Sequence, residues 1–276
     1  MMTETTNEEQ LATPSKAGHV GTITLTRKGN NSIAGDLGDA LVKALDELEA
    51  DPEVRVLVIR SGYEKYFSVG ADLTAMMSSV DASDKTAMKQ ALADAVGYLQ
   101  KCFTRLEKSR LVTIAAINGH ALGGGCELAL SCDYRIMVDD GRASIGQTEV
   151  NLGIIPGAGG TQRLPRLIGP GKALEMMLEG TRITAPEAER IGLVNQSVKP
   201  EEFEAAVNGR AEKLAAGAPI AQALIKKAVH EGIGKERIED GLAVELEGFV
   251  QSAMSDDAAI GIVSFLSKQQ PEFTGK

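Results

Sequence analysis

The chain has 276 residues, 43% hydrophobic and 24% charged, a composition of globular proteins that leaves enough apolar surface for a core in one domain or one and a half. Its 38 acidic residues outnumber its 29 basic ones, for a formal charge of −9, and no Lys/Arg stripe offsets phosphate repulsion, so nucleic acid is not expected as a partner. Cys102, Cys126 and Cys132 form an odd set without CxxC spacing or neighbouring histidines, which argues against disulfide and zinc frameworks and for a reducing compartment.

The first residues carry glutamates and no apolar h-region, so 1–16 are expected to be a mobile tail rather than a targeting signal. HVGTITLTRK, from His19 to Lys28, alternates apolar and polar positions and predicts a half-buried strand. A helix follows, with Leu37, Leu41, Leu45 and Leu48 on one stripe, Asp36 as its N-cap and Asp51-Pro52 as its stop. VRVLVIR, Val54 to Arg60, reads as a buried strand that runs into the loop YEKYFSVGAD. A helical stripe of Met88, Leu92, Leu99, Phe103 and Leu106 comes next. LVTIAAI, Leu111 to Ile117, is a second apolar strand, and it too opens into a glycine loop, NGHALGGG, ahead of the helix-like CELALS. From about Pro200 the pattern is helical: Ile220, Leu224 and Ala228 share one stripe, and Val244, Phe249, Val250 and Met254 follow. No run approaches the ~20 apolar residues needed to span a bilayer, so a cytoplasmic protein with no membrane partner is expected.

Chemistry concentrates at the glycine loops. GHALGGGCEL sets three glycines where a strand meets a helix, a place where backbone N–H groups can approach developing negative charge, although a simple tight turn explains the glycines equally well. The dinucleotide pattern G-x-G-x-x-G, a P-loop Lys-Ser/Thr and the G-x-S-x-G elbow are all missing. Glu127 lies two residues beyond the loop among Cys126, Leu128, Ala129 and Leu130, and burial there would raise its pKa. Glu149 sits in SIGQTEVNLGIIPGAGG, ahead of Gly157, Gly159 and Gly160. Two acids beside glycine loops form the kind of paired carboxylates that run acid/base chemistry.

Four segments together carry a family resemblance: FSVGADL (67–73), AAINGHALGGGCELALSCDYRI (115–136), GQTEVNLGIIPGAGGTQRLPRLIG (146–169) and GTRITAPEAERIGLVNQSV (180–198). In order and spacing the chain resembles the enoyl-CoA hydratase family of the crotonase superfamily. The resemblance implies an α/β fold, a crotonase-like spiral of ββα turns over 17–198, with a helical oligomerisation region over 199–276 that builds a homotrimer or a hexamer made of two trimers. It implies an oxyanion hole from the backbone N–H groups of Ala71 and Gly124, the acids Glu127 and Glu149, and a water-positioning role for Gly157. Coenzyme A would contact Arg27, Lys28, Ala71, Asp72 and Leu73, with Phe265 and Lys268 reaching the nucleotide from a neighbouring subunit. No metal and no cofactor beyond the coenzyme A of the substrate is expected.

The implied reaction is addition of water across C2=C3 of an enoyl-CoA, with ionised Glu127 deprotonating water and protonated Glu149 supplying the C2 proton. Departures are NNSIAGD, where an Asn-Ala-Leu motif is common, the threonine of GQTE, and long stretches from Ala71 to Gly124 and from Asp133 to Glu149. The rivals are an enoyl-CoA isomerase, which in many relatives keeps only the second acid, a thioester hydrolase or C–C cleaving relative, and a non-catalytic scaffold or RNA-binding relative.

Overall fold

The structure is a computed structural model that describes residues 10–72, 75 and 84–276. Two parallel-rich sheets organise the chain. The larger takes β1 (Ala12–Ala17), β2 (Val20–Leu25), β3 (Val56–Ser61), β5 (Val112–Ile117), β7 (Tyr134–Val138) and β10 (Gln196–Val198) in the order β1-β2-β3-β5-β7-β10. The smaller joins β4 (Tyr66–Ser68), β6 (His120–Leu122), β8 (Ser144–Gly146) and β9 (Ile183–Thr184) in that order. Each apolar strand of the large sheet thus hands the chain to a short strand of the small one: β3 leads to β4, β5 to β6 and β7 to β8. That repeat places the loops after β4, β6 and β8 side by side, which is how three distant glycine-rich segments come to share one site.

The apolar runs behave as their composition demands. All six residues of β5 are buried, and β3 pairs with it in parallel from Val56↔Val112 to Arg60↔Ala116, so these strands form the floor of the core. The first helix, α1 (Gly35–Ala50), buries Leu37, Leu41, Leu45 and Leu48 and stops just before Asp51-Pro52. Its N-cap is Ala34 rather than Asp36, which lies in the first turn because its carboxylate is engaged by Arg27 at 2.5 Å and by the Leu37 N–H at 2.8 Å. Helix α2 (Lys85–Glu107) starts from a true cap, the Asp84 carboxylate accepting the N–H groups of Thr86 and Ala87. It buries Leu99, Cys102, Phe103 and Leu106.

Two expectations about boundaries are corrected. The tail expected over 1–16 does not reach Lys16, since Ala12–Ala17 forms an antiparallel strand on Val20–Leu25 through the two-residue turn Gly18-His19. A polar edge strand carries little pattern of its own and is held by its partner's ladder. The division at 198/199 also falls too early. Helix α7 (Pro200–Ala215) buries Phe203, Val207, Ala211 and Ala215 and packs on the large sheet as part of the core. By contrast, α8 (Pro219–Gly232), α9 (Ile238–Ala253) and α10 (Asp256–Ser267) project many of their apolar side chains outward. No helix among the described residues is long and apolar enough to cross a membrane.

Candidate active site

The loop after β4 and the loop after β6 meet at glycines. Gly70 has φ +95, and a Cβ on it would lie 2.8 Å from both Gly124 N and Leu122 O, while a Cβ on Gly124 would lie 3.2 Å from Ala71 N. Only bare backbone allows this approach. Ala71 makes a parallel bridge to Ile33, in which the Ile33 N–H donates to Gly70 O at 2.7 Å and the Asp72 N–H donates to Ile33 O at 2.8 Å. In such a ladder the N–H of the bridged residue itself points to the other side. Gly124 opens the buried helix α3 (Gly124–Leu130), and a first-turn N–H has no intrahelical acceptor. Among the described residues neither the Ala71 nor the Gly124 N–H has a hydrogen-bond partner.

Both N–H groups open onto a cavity of about 180 Å³ lined by Gly70, Ala71, Gly123, Gly124, Glu127, Glu149 and Gly157. Ile33, Val69, Val96, Leu99, Phe103, Leu152, Ile154 and Ile155 form its apolar walls. Glu127 comes from α3 and Glu149 from the single 3-10 turn Glu149–Leu152 that follows β8. The two acids therefore reach one cavity from separate turns of the spiral.

Their environments differ in kind. Glu127 is 2% exposed, and its Oε1 accepts the N–H groups of Gly160 at 2.7 Å and Ala158 at 2.8 Å. Burial raises its pKa, against the opposing pull of those N–H groups and of the Arg163 guanidinium. Burial, with the charge of Glu127 added, pushes the Glu149 pKa up to about 7 against the opposing pull of the Glu149 and Thr148 backbone N–H groups. Such an acid holds a proton near neutrality, whereas a carboxylate accepting several N–H bonds is suited to stay ionised. Their separation is the pattern of a base and an acid in one site.

Gly157 lines the cavity, and its carbonyl accepts Gln100 Nε2 at 2.7 Å. Arg27, expected on the CoA phosphates, is bound to Asp36 at 2.5 Å and to Asp72 at 3.3 Å, so its charge is already compensated, while Lys28 is exposed beside it. Leu73 lies outside the described residues. Phe265 and Lys268 sit on and just after α10, away from the cavity walls, with Phe265 82% exposed. Among the described residues no group of three or more His, Cys, Asp or Glu side chains is arranged to hold a metal ion.

Two residues escaped the sequence reading. Gln147 is fully buried, and with its amide nitrogen facing Glu149 it stands 3.1 and 3.2 Å from the two carboxylate oxygens. Its signal was an amide two residues before an acid in a glycine-rich apolar run. Arg163 carried no local signal, because its partners lie on other elements.

The family model for enoyl-CoA hydratase/isomerase matches residues 15–276. The chain belongs to the enoyl-CoA hydratase/isomerase family. Among its relatives are a crotonyl-CoA hydratase of Syntrophomonas wolfei, 39% identical with 90% of this chain and 92% of that protein covered, and a short-chain-enoyl-CoA hydratase of Clostridium acetobutylicum, 38% identical with 93% and 95% covered. The crystal structure of an enoyl-CoA hydratase from Bacillus anthracis superposes with a TM-score of 0.87 at 36% identity over 97% of this chain and all of that one. One from Geobacillus kaustophilus does so with 0.88 at 34% identity, covering 98% of each. The crotonase-like α/β fold with its helical C-terminal region, expected from the motifs, is thereby shown for this family member.

Proposed function

We propose that the protein is an enoyl-CoA hydratase that adds water across the C2=C3 double bond of an enoyl-CoA thioester to give the 3-hydroxyacyl-CoA. The observation that carries this reading is one cavity bordered by two unpartnered backbone N–H groups, Ala71 and Gly124, and by two carboxyl groups of different character, Glu127 and Glu149.

In a conjugated thioester, C3 becomes electrophilic when charge can move through C2 onto the carbonyl oxygen. Ala71 and Gly124 would receive that oxygen, and each such donor is typically worth ~2.7–4 kcal/mol at the transition state. Glu127, held as a hydrogen-bond acceptor, takes the proton of the attacking water, with Gly157 helping to seat it. Glu149, carrying a proton, delivers it to C2. Retention of both acids favours hydration over isomerisation, which needs one shuttle between C2 and C4. The chemistry uses no metal and no cofactor other than the coenzyme A borne by the substrate.

For the nucleotide part of coenzyme A we assign Ala71, Asp72, Leu73, Lys28 and, after exchange of its present partners, Arg27. Phe265 and Lys268 would add contacts from a neighbouring subunit. That assignment is supported by the apolar side chains that α8, α9 and α10 turn outward, which suit a trimer or a pair of trimers. The three free, buried cysteines suit a cytoplasmic setting.

The test is incubation of the purified protein with crotonyl-CoA. The expected result is loss of the conjugated thioester absorbance together with a 3-hydroxybutyryl-CoA product by mass spectrometry. A double bond moved without any gain of water would replace hydratase by isomerase, and release of free coenzyme A would replace it by hydrolase.

A further inference from the structure

Glu127 depends on a cradle, the segment 158–160, which is itself held from behind. Glu127 Oε1 accepts the Ala158 and Gly160 N–H groups at 2.8 and 2.7 Å, and the Gly159 N–H between them also favours the charged carboxylate. Successive N–H groups converging in this way form an anion-binding nest. On the far side of the same peptide, the Ala158 carbonyl accepts Arg163 Nη1 at 3.0 Å. The Ala158–Gly159 peptide unit, whose oxygen takes the guanidinium, lies between the two units whose N–H groups hold the carboxylate, so gripping it fixes the middle of the nest.

The guanidinium has little freedom. On α4 (Gly160–Ile168) its Nε and Nη2 form a fork on Glu107 of α2 at 3.1 and 2.9 Å, and Nη2 also donates to Thr104 Oγ1 at 3.2 Å. The Arg163 side chain is 13% exposed. Gly159, at φ +118, leaves the space in which the guanidinium lies, since a Cβ there would stand 2.0 Å from Arg163 Nη1. The bare backbone that makes the nest thus also admits its brace.

We propose that Arg163 is a positioning residue for Glu127: held by Glu107 and Thr104, it grips the Ala158 carbonyl, fixes the three N–H groups on the carboxylate and supplies the positive charge that keeps it ready to take a proton from water. The proposal rests on the reading of Glu127 as the base. Arg163 touches no substrate, and its effect passes through one peptide unit. The titratable groups around Glu127 are Glu149 on the 3-10 turn, Cys126 beside it on α3 and Arg163 on α4. Glu107 of α2 stands behind the guanidinium, with His230 of α8 4.0 Å from Glu107.

The deciding experiment compares wild type, R163M and R163K by the pH dependence of crotonyl-CoA hydration, and titrates the Glu127 carboxyl by NMR on protein labelled with 13C-glutamate, with E127Q to assign its signal. In R163M kcat is expected to fall about tenfold or more with KM little changed, and the acid limb and the Glu127 titration should both move upward by about one pH unit, the scale of a lost neighbouring cation. R163K, which keeps the charge but cannot fork onto Glu107 and Ala158 together, should recover part of that displacement. A structural ion pair alone would lower the melting temperature and leave both the limb and the titration where they are, and that result overturns the proposal. If R163M does not fold, R163K decides by the same shift or its absence. If wild type fails to hydrate any enoyl-CoA, the functional reading falls, while the carboxyl titration still decides whether Arg163 governs Glu127.

Discussion

The loops at the ends of the spiral and the helices at the end of the chain solve opposite problems. Around the cavity nearly every group is satisfied within the chain: α3 is buried along its whole length, and the open donors are the backbone N–H groups that face the cavity. In α8 and α9 no residue is buried, and in α10 Asp257 alone is. Leu246, Phe249, Val250, Met254, Ile262 and Phe265 are each more than half exposed. A helix that faces apolar side chains outward needs another surface to cover them. The residues proposed for the chemistry thus come from one chain, whereas the exposed apolar side chains of the C-terminal helices suit the assembly proposed above.

If that contrast holds, changes at the cavity should abolish turnover without loosening the protein, and changes in the helices should do the reverse. The largest effect belongs to the acids. Glu127→Gln and Glu149→Gln should each lower hydration by ~10²–10⁴-fold, the usual worth of a positioned base or acid, with the folded far-UV spectrum and the oligomer mass retained. A variant that kept more than a tenth of the activity would remove its acid from the mechanism.

Phe249→Asp tests the other half. Placing a carboxylate in the exposed apolar face of α9 should shift the mass measured by light scattering from an assembly toward a single chain, while the core remains folded. An unchanged mass would mean that this face is not where copies meet. A smaller effect is expected at the tie that returns the chain end to α10. The Asp257 carboxylate accepts the N–H groups of Thr274 at 2.6 Å and Gly275 at 3.0 Å, and Arg55 Nη2 holds the Phe273 carbonyl at 2.8 Å. Asp257→Ala strands these donors and should cost about 1–3 kcal/mol in denaturant unfolding, with kcat unaltered. No loss of stability would show that the tie is incidental.

How much of this was legible in the sequence follows the same division. The apolar runs around Val56–Ser61 and Val112–Ile117 declared themselves as buried strands because all their residues except Arg60 avoid water on both faces. β4, β6 and β8 did not, since three residues carry no period and each is held in place by its neighbour. The polar strand Ala12–Ala17 was hidden for the same reason. At the site, Glu127 and Glu149 could be picked out by their glycine loops, but that Ala71 and Gly124 adjoin each other came only from the family motifs, because the contact joins residues far apart in the chain. Arg163 and Gln147 act through spatial neighbours, and nothing in their local sequence announces it. Buried Glu127, by contrast, could be read from the apolar residues on either side of it.

The last effect concerns the stability that burying Glu149 costs. Glu149 has its pKa raised from 4.5 to about 7 by burial, so the folded protein keeps a proton that the unfolded chain releases. The folded state therefore binds more protons between those two values, and stability must fall as pH rises through that window and level off above it. Glu149→Gln cannot ionise and escapes this loss. It should melt a few degrees above wild type at pH 8, with the gap narrowing as pH falls and closing below about 4.5, where both forms are neutral. Activity and stability would then move in opposite directions at one residue, as expected where an acid is buried for its chemistry rather than for the fold. A gap that stayed constant with pH would place its cause in packing or in the Gln147 contact and would return Glu149 to an ordinary carboxylate.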